Sequence, residues 1–167
     1  MVDTQQPAGR GRVQPMSTIA ALVGHSSRLT DIFGYWPSFH DAEVISLSLH
    51  RDAVVSPGPT LVALIHVFEM TSEVSESGHF ICRKHTLVDI QFSDVEDLKL
   101  EDFNHQNALN HLRILESTTR PGRLAVFLDS AYGLDGTFTS SAVEVLSATP
   151  GIPPGSIHAH ADAQPGP

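Results

Sequence analysis

Residues able to do chemistry gather in one stretch, Phe33-Gly34-Tyr35-Trp36-Pro37-Ser38-Phe39-His40-Asp41-Ala42-Glu43-Val44, where a His-Asp pair and a glutamate follow the single Trp of the chain. Imidazole and carboxylate side chains together can hold a divalent metal or run acid–base chemistry. With His66 and Glu69 from a neighbouring strand, His40, Asp41 and Glu43 would form a small metal-dependent or ligand-binding site. The spacing weighs against that reading: His40 and Asp41 are adjacent, and the body of the chain has no HExxH or HxH run. A local reading carries more weight, with His40 hydrogen-bonded nearby, Asp41 capping a turn and Glu43 facing solvent at a strand start.

Other chemistries find less support. No GxSxG, P-loop, GxGxxG or SxxK pattern occurs, so neither a catalytic serine nor a phosphate cradle is indicated. Cys82 is the single cysteine, which excludes an internal disulfide and a cysteine zinc site; between Ile81 and Arg83 it reads as an inert strand thiol. His158 and His160 form an HxH pair, but in a Pro- and Ala-rich tail that makes a poor site. No cofactor is implied.

The densest charge lies at Asp94, Glu96, Asp97, Glu101 and Asp102, with Lys99 among them. Such a patch can attract a basic partner and speed its arrival. It equally suits a solvated sheet edge, where charge discourages edge-to-edge aggregation. Asn104, Gln106 and Asn107 behind it are turn and cap residues first. Of the aromatics, Phe33, Trp36 and Phe39 read as a core plug, while alternation with Trp36 sends Tyr35 outward as a contact residue.

These residues need a scaffold, and 167 residues with 41% hydrophobic content suffice for one domain. The net charge of −9 repels phosphate backbones, which argues against a nucleic-acid partner. No apolar run approaches the roughly 18 residues that a membrane helix requires. The first residues lack a signal-peptide pattern, so cytoplasmic residence is the default expectation.

Residues 1–25 read as a flexible arm, with Met16 an alternative start; 26–148 as one domain; and 149–167 as a disordered tail. Within the arm, Ile19–Val23 could be a short helix ended by Gly24. Ser26–Phe33 predicts another, with Leu29, Ile32 and Phe33 on one face and Gly34 as its left-handed stop. Pro37 ends the helical region, and Ser38 with Asp41 predicts a capped single turn. Ile45, Leu47 and Leu49 then alternate with Ser46, Ser48 and His50, a half-buried strand. Residues 60–70, 79–92, 94–100, 112–116, 123–129 and 137–146 predict further strands, and 103–111 a short helix or irregular link. No helix is long enough for a βαβ crossover. The expectation is therefore α+β, mostly β: an antiparallel sheet of about six or seven strands with the N-terminal helix packed on one face, or alternatively a β-sandwich.

The run Phe33–Val44 leading into a strand resembles the opening signature of the immunity protein 50 family. Phe33, Gly34, Trp36, Pro37, Phe39, His40, Asp41 and Glu43 carry that likeness. Val88-x-Ile90-x-Phe92 and Phe103-Asn104-x-Gln106-Asn107 are similar to the family's downstream pattern, so the resemblance spans residues 26–147. It implies a small cytoplasmic α+β protein of a polymorphic toxin system that binds and neutralises a cognate toxin domain, without catalysis. The resemblance assigns no contact residue; alternation and charge make Tyr35, Asp94, Glu96, Asp97, Glu101 and Asp102 the candidate contacts for such a partner.

Overall fold

The structure, a computed structural model, describes residues 16–51, 58–76 and 78–160. The expected arm up to residue 15, the middle of the 51–59 turn and the end of the tail lie outside the described residues. Two short helices, α1 (Met16–Leu22) and α2 (Ser27–Phe33), precede eight strands. These are β1 (Glu43–His50), β2 (Thr60–Val74), β3 (Phe80–Ser93), β4 (Glu96–Glu101), β5 (Ala108–Glu116), β6 (Leu124–Tyr132), β7 (Asp135–Ser140) and β8 (Ala142–Pro150). They form one antiparallel sheet in the order β4-β7-β6-β5-β1-β2-β3-β8. The α+β, mostly β class stands, with more strands than expected.

The additional strand arises at Ser141. Residues 137–146 read as one strand because no Gly or Pro interrupts them, yet the chain turns a corner between β7 and β8. There Ser141 donates its amide to the Ser93 carbonyl at 2.9 Å, crossing to the other half of the sheet. In a flat sheet β7 and β3 would lie five strand spacings apart, about 24 Å. Instead Phe92 of β3 meets Phe138 of β7 edge to face, with ring centroids 4.9 Å apart. The sheet therefore curls until its halves face each other. Its narrow join is β1–β5, paired at Glu43 and Ala108 and continued by amides of Asp41, Leu109 and Val44 donating to Leu109, Ala42 and Asn107.

Inside the curl lie Leu61, Ala63, Ile65 and Val67 of β2, Val88, Ile90 and Phe92 of β3, and Ile114, Val126, Leu128 and Val145 from other strands, all almost fully buried. Alternation in β3 placed Thr86, Val88, Ile90 and Phe92 on one side, and that side is the core. Strand β1 departs from its pattern. A bulge between Val44 and Ser46 turns Val44 into the core and leaves Ile45 at the surface; Leu47 packs against the core, while Leu49 is 56% exposed near the strand end.

Residues 103–111 are not helical. Asn107, 3% exposed, binds the backbone of its own loop instead: its Oδ1 accepts from Asn104 and Leu134 amides and its Nδ2 donates to the Asn104 and Val44 carbonyls. Side-chain bonding of this kind competes with helix formation, and β5 begins directly after. Among the described residues no helix is long and apolar enough to cross a membrane.

Both helices close the open side of the core. Leu29 and Phe33 of α2 are buried, Ile19 and Ala20 of α1 pack against the same cluster, and Arg28 reaches the Val145 carbonyl. Gly24 adds a parallel bridge to Glu144, covering the outer edge of β8. Helix α2 stops where expected, at Gly34 with φ +85° and its amide on Thr30. A Cβ there would meet nothing within 4 Å, so only the backbone conformation resists substitution. Gly34→Ala is expected to cost about 1–2 kcal/mol of stability, measurable by urea denaturation.

Candidate functional site

The signature stretch divides between core and surface. Trp36 and Phe39 are buried at 3% and 1%, with rings 5.6 Å apart, and form the expected plug. The capped helical turn expected from Ser38 and Asp41 is instead a tight turn in which Phe39 and Asp41 take φ +57° and +61°. Holding a Phe in the left-handed region is costly, and the burial of its ring offsets that cost. His40 Nδ1 lies 2.9 Å from Asp41 at the surface, with the His111 ring beside it. The pair lies at an exposed corner of the chain.

Glu43 lies elsewhere. Expected at the surface, it is 6% exposed, because register sets Glu43 opposite His66 of β2 on the sheet face that points away from the main core. His66, fully buried, places Nδ1 2.8 Å from Glu43 Oε2 and Nε2 3.0 Å from His85 Nδ1 of β3. The same carboxylate oxygen accepts the Ser156 hydroxyl at 2.6 Å. Burial pushes the Glu43 carboxyl up, but hydrogen bonds from His66 and Ser156, aided by the charges of His66 and His158, outweigh it and hold the group below its ordinary value. An ionised Glu43 can only accept, so His66 carries its proton on Nδ1. Carboxylate, imidazole and imidazole thus form a relay inside the protein.

Glu69 belongs to a third place. It accepts the Tyr35 hydroxyl at 2.6 Å and pairs with Lys84 at 3.4 Å. The hydrogen bond to this carboxylate, with partial burial, pushes the Tyr35 phenol up to about 12. Tyr35 is 45% exposed, pointing outward as alternation suggested. Glu69→Gln, made with Tyr132→Phe so that Tyr35 alone reports, is expected to return its ionisation toward about 10 in an ultraviolet pH titration. A midpoint still near 12 would show that Glu69 is not the cause.

The five residues considered for a metal therefore split three ways: His40 with Asp41, Glu43 with His66, and Glu69 with Tyr35. Among the described residues no group of three or more His, Cys, Asp or Glu side chains could hold a metal ion. The shared site is a correction to the sequence reading. Strand spacing brings Glu43 and His66 into register but sends the others to a corner and to the opposite sheet face.

The acidic strand also divides. Arg123 binds Asp94 at 2.7 Å, and Arg120 binds Glu96 and Asp97 at 2.8 Å each. Asp94, Asp97 and Asp102 have φ of +52°, +55° and +56°, a conformation that aspartate tolerates, so part of this acidity serves backbone geometry. Among the described residues Glu101 and Asp102 form no ion pair. Glu101 lies directly opposite Asp135 of β7, and Phe103 and Tyr132 nearby are each 52% exposed.

Sequence reasoning missed His85 and Ser156, and set His158 aside as part of a tail. His85 had a signal, since it shares the polar side of β3 with Leu87, Asp89 and Gln91. Ser156 had none, because its tail shows no period. A cleft of about 670 Å³ between α1 and the β5–β6 turn, lined by Leu22, Glu116, Arg123 and Glu144, lies apart from the Glu43–His66–His85 relay and shares Arg123 with the acidic strand.

Comparison with known proteins draws the signature and the fold together. No curated protein and no solved structure matches the chain. A family model described as Immunity protein 50 matches residues 25–151, which include both the plug and every strand up to Pro150. The chain belongs to the immunity protein 50 family.

Proposed function

We propose that this chain binds a cognate bacterial toxin domain and neutralises it without chemistry of its own. The observation that carries this reading is the family match over residues 25–151. Charge supports it, since a net −9 speeds encounter with a basic protein face and repels nucleic acid. The cytoplasm is the compartment this reading implies.

Of the candidate contacts, Tyr35, Glu101 and Asp102 suit the role better than Asp94, Glu96 and Asp97, whose carboxylates are already engaged by Arg120 and Arg123. The Glu101–Asp135 pair is a like-charge cross-strand contact, unfavourable until a cation sits over it. Phe103 and Tyr132 beside it offer exposed aromatic area.

Co-expression with the toxin domain encoded beside this chain is expected to restore growth, and a pull-down to recover a one-to-one complex. Continued killing with no captured complex would refute the reading. Paired Glu101→Lys and Asp102→Asn substitutions, the second keeping a residue that tolerates the left-handed backbone, are expected to weaken the complex about tenfold or more, some 1.4 kcal/mol, with little change in melting temperature. Asp94→Lys should instead lower the melting temperature by breaking the Arg123 pair.

A further inference from the structure

Strands β2 and β3 outrun their neighbours. Pairing with β1 stops at His66 and pairing with β8 stops at Thr86, while β2 and β3 stay paired out to Val74 and Phe80. Residues 67–74 and 80–85 are thus a two-stranded ribbon that no other strand flanks among the described residues. A ribbon of two strands in water is marginal by itself, so each face needs something to pack on or bond to.

The two faces differ. Glu69 accepts from Tyr35 and pairs with Lys84, and Glu73 pairs with Arg83 at 2.7 Å, so one face is closed by matched charges. On the other, Met70 stands opposite Cys82 and Val74 opposite Phe80. Even spacing along both strands puts these four side chains on the side of His66 and Phe68. The tail covers the base of this side, where the His158 ring packs on Phe68 with centroids 4.3 Å apart. Beyond that contact Met70, Val74 and Phe80 are 48%, 56% and 58% exposed. Grouped apolar exposure of this kind, with Met and an aromatic, marks a surface that meets another protein.

Charge selects the partner. Within the ribbon Glu69 and Glu73 are balanced by Lys84 and Arg83, in a chain of net charge −9. A basic toxin face gains no attraction there and finds it at residues 94–102 instead. Those residues lie by the opposite end of β2, where the Val95 amide donates to the Pro59 carbonyl at 2.8 Å. A second copy of this acidic chain is repelled at residues 94–102 but not at the neutral ribbon. A face built from cross-strand apolar pairs also suits self-matching about a two-fold axis.

We propose that the chain self-associates as a two-fold dimer through the apolar faces of its β2–β3 ribbons, with Met70, Val74, Phe80 and Cys82 at the contact. Eight residues at about 3.3 Å each make the ribbon roughly 25 Å long. Two strands wide, it lies at the small end of protein interfaces, so the dimer forms at high concentration and separates on dilution. The dimer does not depend on the toxin reading, and it leaves residues 94–102 open to that partner.

Sedimentation equilibrium of the full chain tests this between about 10 μM and about 1 mM. The average mass is expected to rise from that of one chain toward that of two. Added salt should leave the association unchanged or tighten it, because the facing side chains are apolar. Phe80→Glu, at an exposed position, is expected to weaken association about tenfold or more with little change in melting temperature. Val74→Glu should act alike, which keeps the test open even if Phe80→Glu misfolds. A monomer at every concentration, or association that survives both variants, would overturn the proposal. A monomer that loses its toxin complex on Phe80→Glu would give the face to the toxin instead. A monomer that melts lower on Phe80→Glu would give it to the chain's own tail.

Discussion

Replacing His66 by alanine is expected to lower the unfolding free energy by about 3–5 kcal/mol at pH 7, because it strips a buried carboxylate of its partner. His66 is fully buried and stands between Glu43 at 2.8 Å and His85 at 3.0 Å, so its removal leaves both groups without their partner. The pH dependence identifies the cause. In the wild type the Glu43 carboxyl lies below its ordinary value, so its contribution is present at neutral pH and is lost as pH falls through that depressed value. Without His66, burial prevails and raises the carboxyl, so the penalty is largest at pH 7 and shrinks toward pH 4, where protonated Glu43 needs no countercharge. Urea denaturation of both proteins at the two pH values measures it. A loss independent of pH would mean that His66 acts through volume alone.

Phe92→Ala is the second large effect, also about 3–5 kcal/mol, from lost transfer energy and the cavity left behind. Phe92 is fully buried on β3 and meets Phe138 of β7 at 4.9 Å, the contact that locks the two halves of the curled sheet. Its removal differs in kind from trimming an aliphatic side chain within one half. Phe138→Ala should give a similar loss, and the double variant less than the sum, since the edge-to-face contact disappears once. Strictly additive losses in a double-mutant cycle would show that the halves are held by other contacts.

The local grammar of the chain was legible. Leu29 and Phe33 are helix-spaced and buried, Gly34 terminates α2 in the left-handed region, and period-two alternation in β3 marks the core side correctly. These features depend on nearest neighbours along the chain. Where a local signal had a competitor, it was displaced or left open: the bulge at Val44 displaced the pattern of β1, and of the helix or irregular link read for 103–111 the bonds of Asn107 favour the link, up to the start of β5.

The chemistry depended on distance. Alternation says which face a side chain takes but not which strand will lie beside it, and a register shift of one residue would reverse the face. Glu43 and His66 are 23 residues apart, His66 and His85 19, and Glu43 and Ser156 113, so strand register and the returning tail bring them together. The acidity of 94–102 could be read directly, but Arg120 and Arg123, supplied by the β5–β6 turn two strands from β4 in the sheet, decide which carboxylates are already engaged. By itself the sequence determined the charge, the strand-rich α+β class, the helix stop and the family signature. Tertiary structure alone decided that the titratable groups of the signature separate into a surface corner and a buried relay, because pairing partners in an antiparallel sheet are set by the closure of the whole core.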